Sequence, residues 1–100
     1  MSDIPRLSST EEVVLKMLCH EARELYGLKM IEASKGRLKR GTIYVTLGRM
    51  EEKGYISSRQ EEVHPGMRGI PRRLYRPTGL GQRVLAAWEA AAERFAAEGI

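Results

Sequence analysis

The stretch Thr42-Ile43-Tyr44-Val45-Thr46-Leu47-Gly48-Arg49-Met50-Glu51-Glu52-Lys53-Gly54 decides how this chain is read. Ile43, Leu47 and Met50 fall at i, i+4 and i+7, one apolar stripe on a 3.6-residue period. Gly54 is a good residue just past a helix end. The spacing predicts a helix that begins after Arg40-Gly41. At about 100° per residue the opposite face carries Thr42, Val45, Gly48, Arg49 and Glu52, with Tyr44 and Thr46 on the flanks. Small or hydrogen-bonding side chains on that face follow four basic residues, Lys35, Arg37, Lys39 and Arg40. Such a helix can enter a groove.

Upstream, Ser9 and Glu12 are spaced as a capping box. Val13, Val14, Met17 and Leu18 then form one apolar face of a helix running to about His20. A charged stretch, Glu21–Glu24, leads to Tyr26-Gly27. A second short helix follows with Leu28 and Ile31 inward, fading at Ser34-Lys35-Gly36. Downstream, Tyr55–Gln60 alternates weakly and reads as a strand. Residues 63–71 hold two glycines and two prolines, a turn-rich tip. Arg72–Pro77 resumes as a second strand, closing a hairpin. Thr78 is a plausible N-cap for an alanine-rich last helix. Its stripe of Val84, Trp88, Ala91 and Phe95, spaced 4-3-4, is longer than a three-helix core and a hairpin need. Part of it is expected to pack on its own domain and the remainder on another chain, against the Val13, Val14 and Met17 face. The order helix, helix, helix, strand, basic turn, strand is that of a winged helix-turn-helix, mainly α with a small β-hairpin (α+β). Residues 1–77 form the expected DNA-binding domain and 78–100 the expected dimerisation helix, in a single structural unit.

One hundred residues allow one domain. Lys and Arg number 17 against 13 Asp and Glu, a net charge of +4, and 42% of residues are hydrophobic. The average hides a partition. Residues 35–49 carry Lys35, Arg37, Lys39, Arg40 and Arg49 with no acid, and residues 64–83 carry Arg68, Arg72, Arg73, Arg76 and Arg83 with none either. Acidic residues predominate at both ends. Two acid-free basic blocks, one leading into the third helix and one on the wing, point to a shared polyanion. A single cysteine, Cys19, excludes an internal disulfide framework. The first twelve residues lack the apolar core of a signal peptide, and no apolar run approaches a membrane span. The expectation is an intracellular protein with no membrane partner.

Catalytic chemistry finds little support. His20 and His64 lie on separate elements, and neither belongs to a cluster with metal-ligand spacing. Glu51-Glu52 and Glu61-Glu62 are adjacent pairs, and neighbours on a helix or strand do not face each other. No nucleophile elbow, phosphate loop or dinucleotide-binding glycine pattern occurs in its required context. The reading is a non-enzyme with no cofactor and no metal.

Gly41-Thr42-Ile43-Tyr44-Val45-Thr46-Leu47-Gly48-Arg49-Met50-Glu51-Glu52-Lys53-Gly54-Tyr55-Ile56 resembles the third-helix signature of PadR-like transcriptional regulators, G-T-L-Y-P-A-L-x-R-L-E-E-x-G-L-I. Tyr26-Gly27 resembles that family's Y-G at the start of helix 2. Arg72-Arg73-Leu74-Tyr75-Arg76-Pro77-Thr78-Gly79-Leu80-Gly81 is similar to its second wing strand and last-helix start. The match spans Tyr26 to Gly81, and the single helix after Thr78 resembles the short-tailed branch. Val45 replaces the usual proline and Gly48 a bulkier polar residue, both on the outer face, so an operator cannot be borrowed from relatives.

The resemblance implies a cytoplasmic bacterial or archaeal DNA-binding regulator that dimerises through its last helix, with effectors of several members bound near that interface. Arg49, Thr42 and Tyr44 are the expected groove contacts, with Tyr26 and Val45 beside them, since Arg pairs bidentately with guanine and Thr reaches a thymine methyl. Lys39 and Arg40 are expected on phosphates at the entrance of the third helix, and Arg68, Arg72 and Arg73 on the wing. Val13, Met17, Val84, Trp88, Ala91 and Phe95 are the expected dimer or effector residues. The reading is a homodimeric repressor on a palindromic operator. Two alternatives stay open: a winged-helix protein-interaction module without DNA binding, and a regulator with an aromatic-effector pocket at Trp88.

Overall fold

The first helix is started by Ser8, whose hydroxyl accepts the Glu11 N–H at 3.1 Å while the Glu11 carboxylate accepts the Ser8 N–H at 2.9 Å. This capping box lies one residue ahead of the expected Ser9/Glu12 pair. Glu12 is instead engaged by Lys16 at 2.9 Å, one turn along the helix. The computed structural model describes residues 6–21, 24–67 and 69–98. Helix α1 (Ser9–Lys16) passes into a π-helical turn, Met17–Glu21, where a continuous α-helix to His20 was expected. Val14, Leu15, Met17 and Leu18 are all buried along it, while Val13 is only half-buried.

Strand β1 (Leu25–Tyr26) leads directly into α2 (Gly27–Ala33). The helix starts with Gly27 against its neighbour, so the residue one turn on, Met30, becomes the buried anchor. Ile31 is half-buried and Leu28 is exposed, against the expectation that both point inward. The turn to the next helix is tight: Lys35 and Gly36 take φ of 54° and 93°. Ser34 fixes its start, donating to the Ile31 carbonyl at 2.7 Å and accepting the Leu38 N–H at 2.9 Å. Helix α3 (Arg40–Glu52) follows, with Ile43, Leu47 and Met50 fully buried as their spacing predicts.

Strands β2 (Ile56–Gln60) and β3 (Arg73–Pro77) pair antiparallel from Ile56↔Pro77 to Gln60↔Arg73. The wing was expected to have two strands, but the sheet has three, in the order β1-β3-β2. Leu25 pairs with Tyr75 and Tyr26 with Leu74. A strand of two residues is too short to display an alternating period, which is why the sequence hid it.

Helix α4 (Gly79–Glu98) is capped by Thr78, whose hydroxyl accepts the Gly81 N–H at 3.0 Å and donates to the Gly54 carbonyl. The Thr78 N–H also donates to the Tyr55 carbonyl at 3.0 Å, so α4 starts stitched to the chain just before β2. Gly81 sits so close to Tyr55 that a Cβ there would stand 2.9 Å from its carbonyl carbon and nearer still to the oxygen. Val84 and Leu85 complete the core, beside Tyr75 and Ile56 from the sheet and Leu7 from the leading segment. Trp88 packs half-buried against that core, and from Ala92 to Ala97 the helix is exposed. No described helix is long and apolar enough to cross a membrane.

Candidate nucleic-acid interface

The outer face of α3 is open. Thr42, Val45, Gly48, Arg49 and Glu52 are all exposed, opposite the buried stripe. The helix starts at Arg40, slightly earlier than predicted, with Lys39 in the cap position. Among the described residues, Lys39, Arg40 and Arg49 make no ion pair and no side-chain hydrogen bond, so their charges remain available. The Thr42 hydroxyl donates to the Lys39 carbonyl at 3.2 Å and keeps its lone pairs for an incoming donor. A Cβ added to Gly41 or Gly48 would meet nothing within 4 Å. Nothing among the described residues requires those glycines.

Tyr44 combines two expectations in one side chain. Its ring is about half exposed, yet it lies across the start of α2, where a Cβ on Gly27 would meet it at 2.8 Å. Gly27 therefore seats Tyr44 at the edge of the outer face. This role went unassigned in the sequence, and its signal was the glycine directly after Tyr26 at a helix start.

The wing is braced by side-chain pairs. The Arg72 guanidinium lies 4.4 Å above the Tyr26 ring centre, so Tyr26 orients Arg72. Arg73 donates to the Ser58 hydroxyl at 3.0 Å, and Ser58 donates to the Glu51 carboxylate at 2.7 Å, linking β3 through β2 to the end of α3. Ser58 is a second residue that sequence reasoning missed. Arg59 forks onto Glu24 with two bonds of 2.9 Å, and its hydrogen bonding holds the Glu24 carboxyl below the usual range. Arg68 lies outside the described residues.

The far end of α3 is tied to the start of α1. Lys53, the residue capping α3, donates to Glu11 at 2.8 Å. Burial pushes the Glu11 carboxyl upward, but the Lys53 hydrogen bond and charge, with the bonds from Ser8, outweigh it and leave the group below its ordinary value. A buried acid with one cation and one cap thus ties the end of α3 to the start of α1.

Along α1, its π-helical turn and α4 the expected interface residues separate. Val14, Met17 and Val84 are buried within the chain's own core. Val13, Trp88 and Ala91 are half-buried, and Phe95 is 78% exposed. Trp88 sits beside Glu12, whose carboxyl is lowered chiefly by the Lys16 hydrogen bond and also by Trp88. A neighbouring cleft of about 410 Å³ is lined by Cys19, His20, Arg76 and Glu89 but not by Trp88. His20 and Glu89 meet across it at 3.2 Å. Burial pushes the Cys19 thiol pKa up, with the Glu89 charge adding to it, so the thiol is no ready nucleophile.

No curated protein matches the chain. Among solved structures, it is similar to a PadR family transcription regulator from Clostridium difficile R20291, at 26% identity over 91% of this chain and 93% of that one, with a TM-score of 0.72. A PadR-like transcription factor from Bacteroides fragilis gives a TM-score of 0.73 at 22% identity, covering 87% and 82% of the two chains. A PadR family regulator from Eggerthella lenta gives 0.68 at 24% identity over 89% and 80%. These last two likenesses are of fold. The family model for PadR-like transcriptional regulators matches residues 14–87, from within α1 to the first half of α4. With that match over most of its length, and the winged fold beneath it, the chain belongs to the PadR-like family of transcriptional regulators.

Proposed function

We propose that the chain is a sequence-specific DNA-binding repressor that acts as a homodimer on a two-fold-symmetric operator. Helix α3 enters the major groove, and the wing lies along the adjoining backbone. The observation that carries this reading is the open outer face of α3, where Lys39, Arg40 and Arg49 stand without an ion pair among the described residues. Arg49 and Thr42 read base edges, Lys39 and Arg40 hold phosphates, and Tyr44 and Val45 border the contact. Arg72, Arg73 and Arg68 serve the wing. Occupying an operator excludes other proteins from the same base pairs, so repression is the direct outcome. The homodimer is supported by the exposed end of α4, where Phe95 has no cover within the subunit.

Selection of bound duplexes from a random pool at a stated salt concentration tests the reading. The expected product is a two-fold-symmetric site with half-sites about 34–36 Å apart or a multiple of it. Binding to random duplex that does not weaken with salt, and no enriched sequence, would leave a protein-interaction module instead.

A further inference from the structure

One apolar side chain stands among the cations and polar groups on the outer face of α3. Val45 is 56% exposed. A lone exposed aliphatic side chain needs no explanation by itself. The setting of Val45 does need one. At about 100° per residue it points within about 15° of directly away from the buried stripe of Ile43, Leu47 and Met50. Thr42 and Arg49, at i−3 and i+4, flank it on one side. Gly48 at i+3 raises no side chain on the other, and its space is open. The acid that shares this direction, Glu52, stands seven residues on, about 10 Å along the axis. Within the chain Val45 gains little burial, and valine is a poorer helix former than alanine.

Of the four bases, thymine alone carries an apolar group in the major groove, its C5 methyl. We propose that Val45 determines specificity by packing on a thymine methyl in each half-site, beside the guanine that Arg49 pairs with. The proposal rests on the DNA binding argued above and names the base chemistry that α3 selects. Lys39, Arg40 and Arg49 make no ion pair among the described residues, so the face that carries Val45 is turned toward a polyanion. Arg49 lies one turn from Val45, about 6 Å along the axis, and bases stack at about 3.4 Å. The methyl and the guanine therefore fall within two base pairs of each other. Thr42, the other methyl-bearing residue of this face, leans about 70° from the outward direction. Its hydroxyl is also held by the Lys39 carbonyl at 3.2 Å. Packing of methyl on isopropyl moves no charge, so this contact carries sequence preference without salt dependence.

The test replaces each thymine of the selected duplex in turn, one half-site at a time, by deoxyuridine. That exchange keeps every pairing and hydrogen-bonding group and removes only the methyl. With wild type, one position per half-site is expected to lose about fourfold in affinity, the worth of one buried methyl-sized group. In Val45→Ala the penalty at that position is expected to fall below about twofold, with the salt slope unchanged because no phosphate contact is lost. Val45 is exposed and alanine is the better helix former, so this variant melts no lower than wild type. A uracil penalty that persists in full in Val45→Ala overturns the assignment, and one that persists there but vanishes in Thr42→Ser gives the methyl to Thr42. A selected site without thymine, or a wild-type chain indifferent to uracil at every position, overturns the contact and leaves DNA binding standing. So does a Val45→Ala chain altered only in concentration-dependent self-association, which would give the face to a second copy. A wild-type chain with no salt-dependent duplex binding removes the DNA-binding reading itself, and the methyl contact with it.

Discussion

Gly81→Ala and Gly48→Ala are the same chemical change in two helices, and the structure assigns them opposite signs. At Gly81 the new methyl group would lie 2.9 Å from the Tyr55 carbonyl carbon, against an ordinary contact of 3.4–4 Å. The obstacle is backbone, and its oxygen is nearer still, so α4 must move off by about an ångström or more. That shift stretches the Thr78 N–H bond to the Tyr55 carbonyl from 3.0 Å to beyond a good hydrogen-bond length. Overpacking costs roughly 1–3 kcal/mol and the weakened bond about 1. The gain from replacing a helical glycine returns about 0.5–1. The net is a destabilisation of about 1–3.5 kcal/mol, or roughly 4–28 °C in melting temperature for a domain of this size. At Gly48 the methyl meets nothing, and only the propensity gain of about 1 kcal/mol remains. Thermal and urea unfolding at one fixed protein concentration measure both variants. A Gly81→Ala chain as stable as wild type would refute the close-approach argument, and a destabilised Gly48→Ala would refute the claim of open space.

The charges on α3 should separate by role: Lys39→Ala with Arg40→Ala weakens binding to all duplexes and flattens the salt slope by about 0.9 per lost contact, whereas Arg49→Ala relaxes one base position at a cost of about 1–3 kcal/mol. Competition titrations at several salt concentrations read both, and an unchanged slope removes Lys39 and Arg40 from the phosphates. Because the folded Glu11 carboxyl lies below its ordinary value, its contribution is fully present above the unfolded pKa of ~4.3 and is lost as pH falls through the lower folded value. Acid titration of Glu11→Gln should show that part of the loss gone, and an identical acid profile would contradict the pairing with Lys53. Phe95→Glu is expected to leave the melting of the isolated subunit unchanged, since the side chain is exposed there, and to shift a dimer to monomer in sedimentation. A wild-type chain monomeric at micromolar concentration would sink the proposed assembly.

How much of this was legible in the sequence depended on length and periodicity. The phase of α3 could be read from Ile43, Leu47 and Met50 because thirteen residues make several turns, and one wrong phase would bury Arg49. In α2, seven residues are too few to fix a phase, which is set by where Gly27 meets Tyr44, a contact between separate elements. Leu28 was therefore misplaced. The capping frame slipped by one because Ser8 and Ser9 both stand three residues before a glutamate, and only the distant Lys53 decides between them. Of the interface, the charges of Lys39, Arg40 and Arg49 were readable from their acid-free block. The tie of Tyr26 to Arg72 was not, since it needs β1 beside β3.

Strand β3 is the last strand in the chain and the middle one in the sheet. During synthesis, neither β1 nor β2 has a partner until residues 73–77 have emerged, however long both have been waiting. The helices can associate earlier, because Leu15, Leu18, Met30, Ile43 and Leu47 are all made by then. Closing the sheet joins Leu25 to Tyr75, which makes the wing a late event in folding and keeps a half-made chain from presenting a finished one. The nascent protein acquires its helical face first and its second basic surface only when nearly complete.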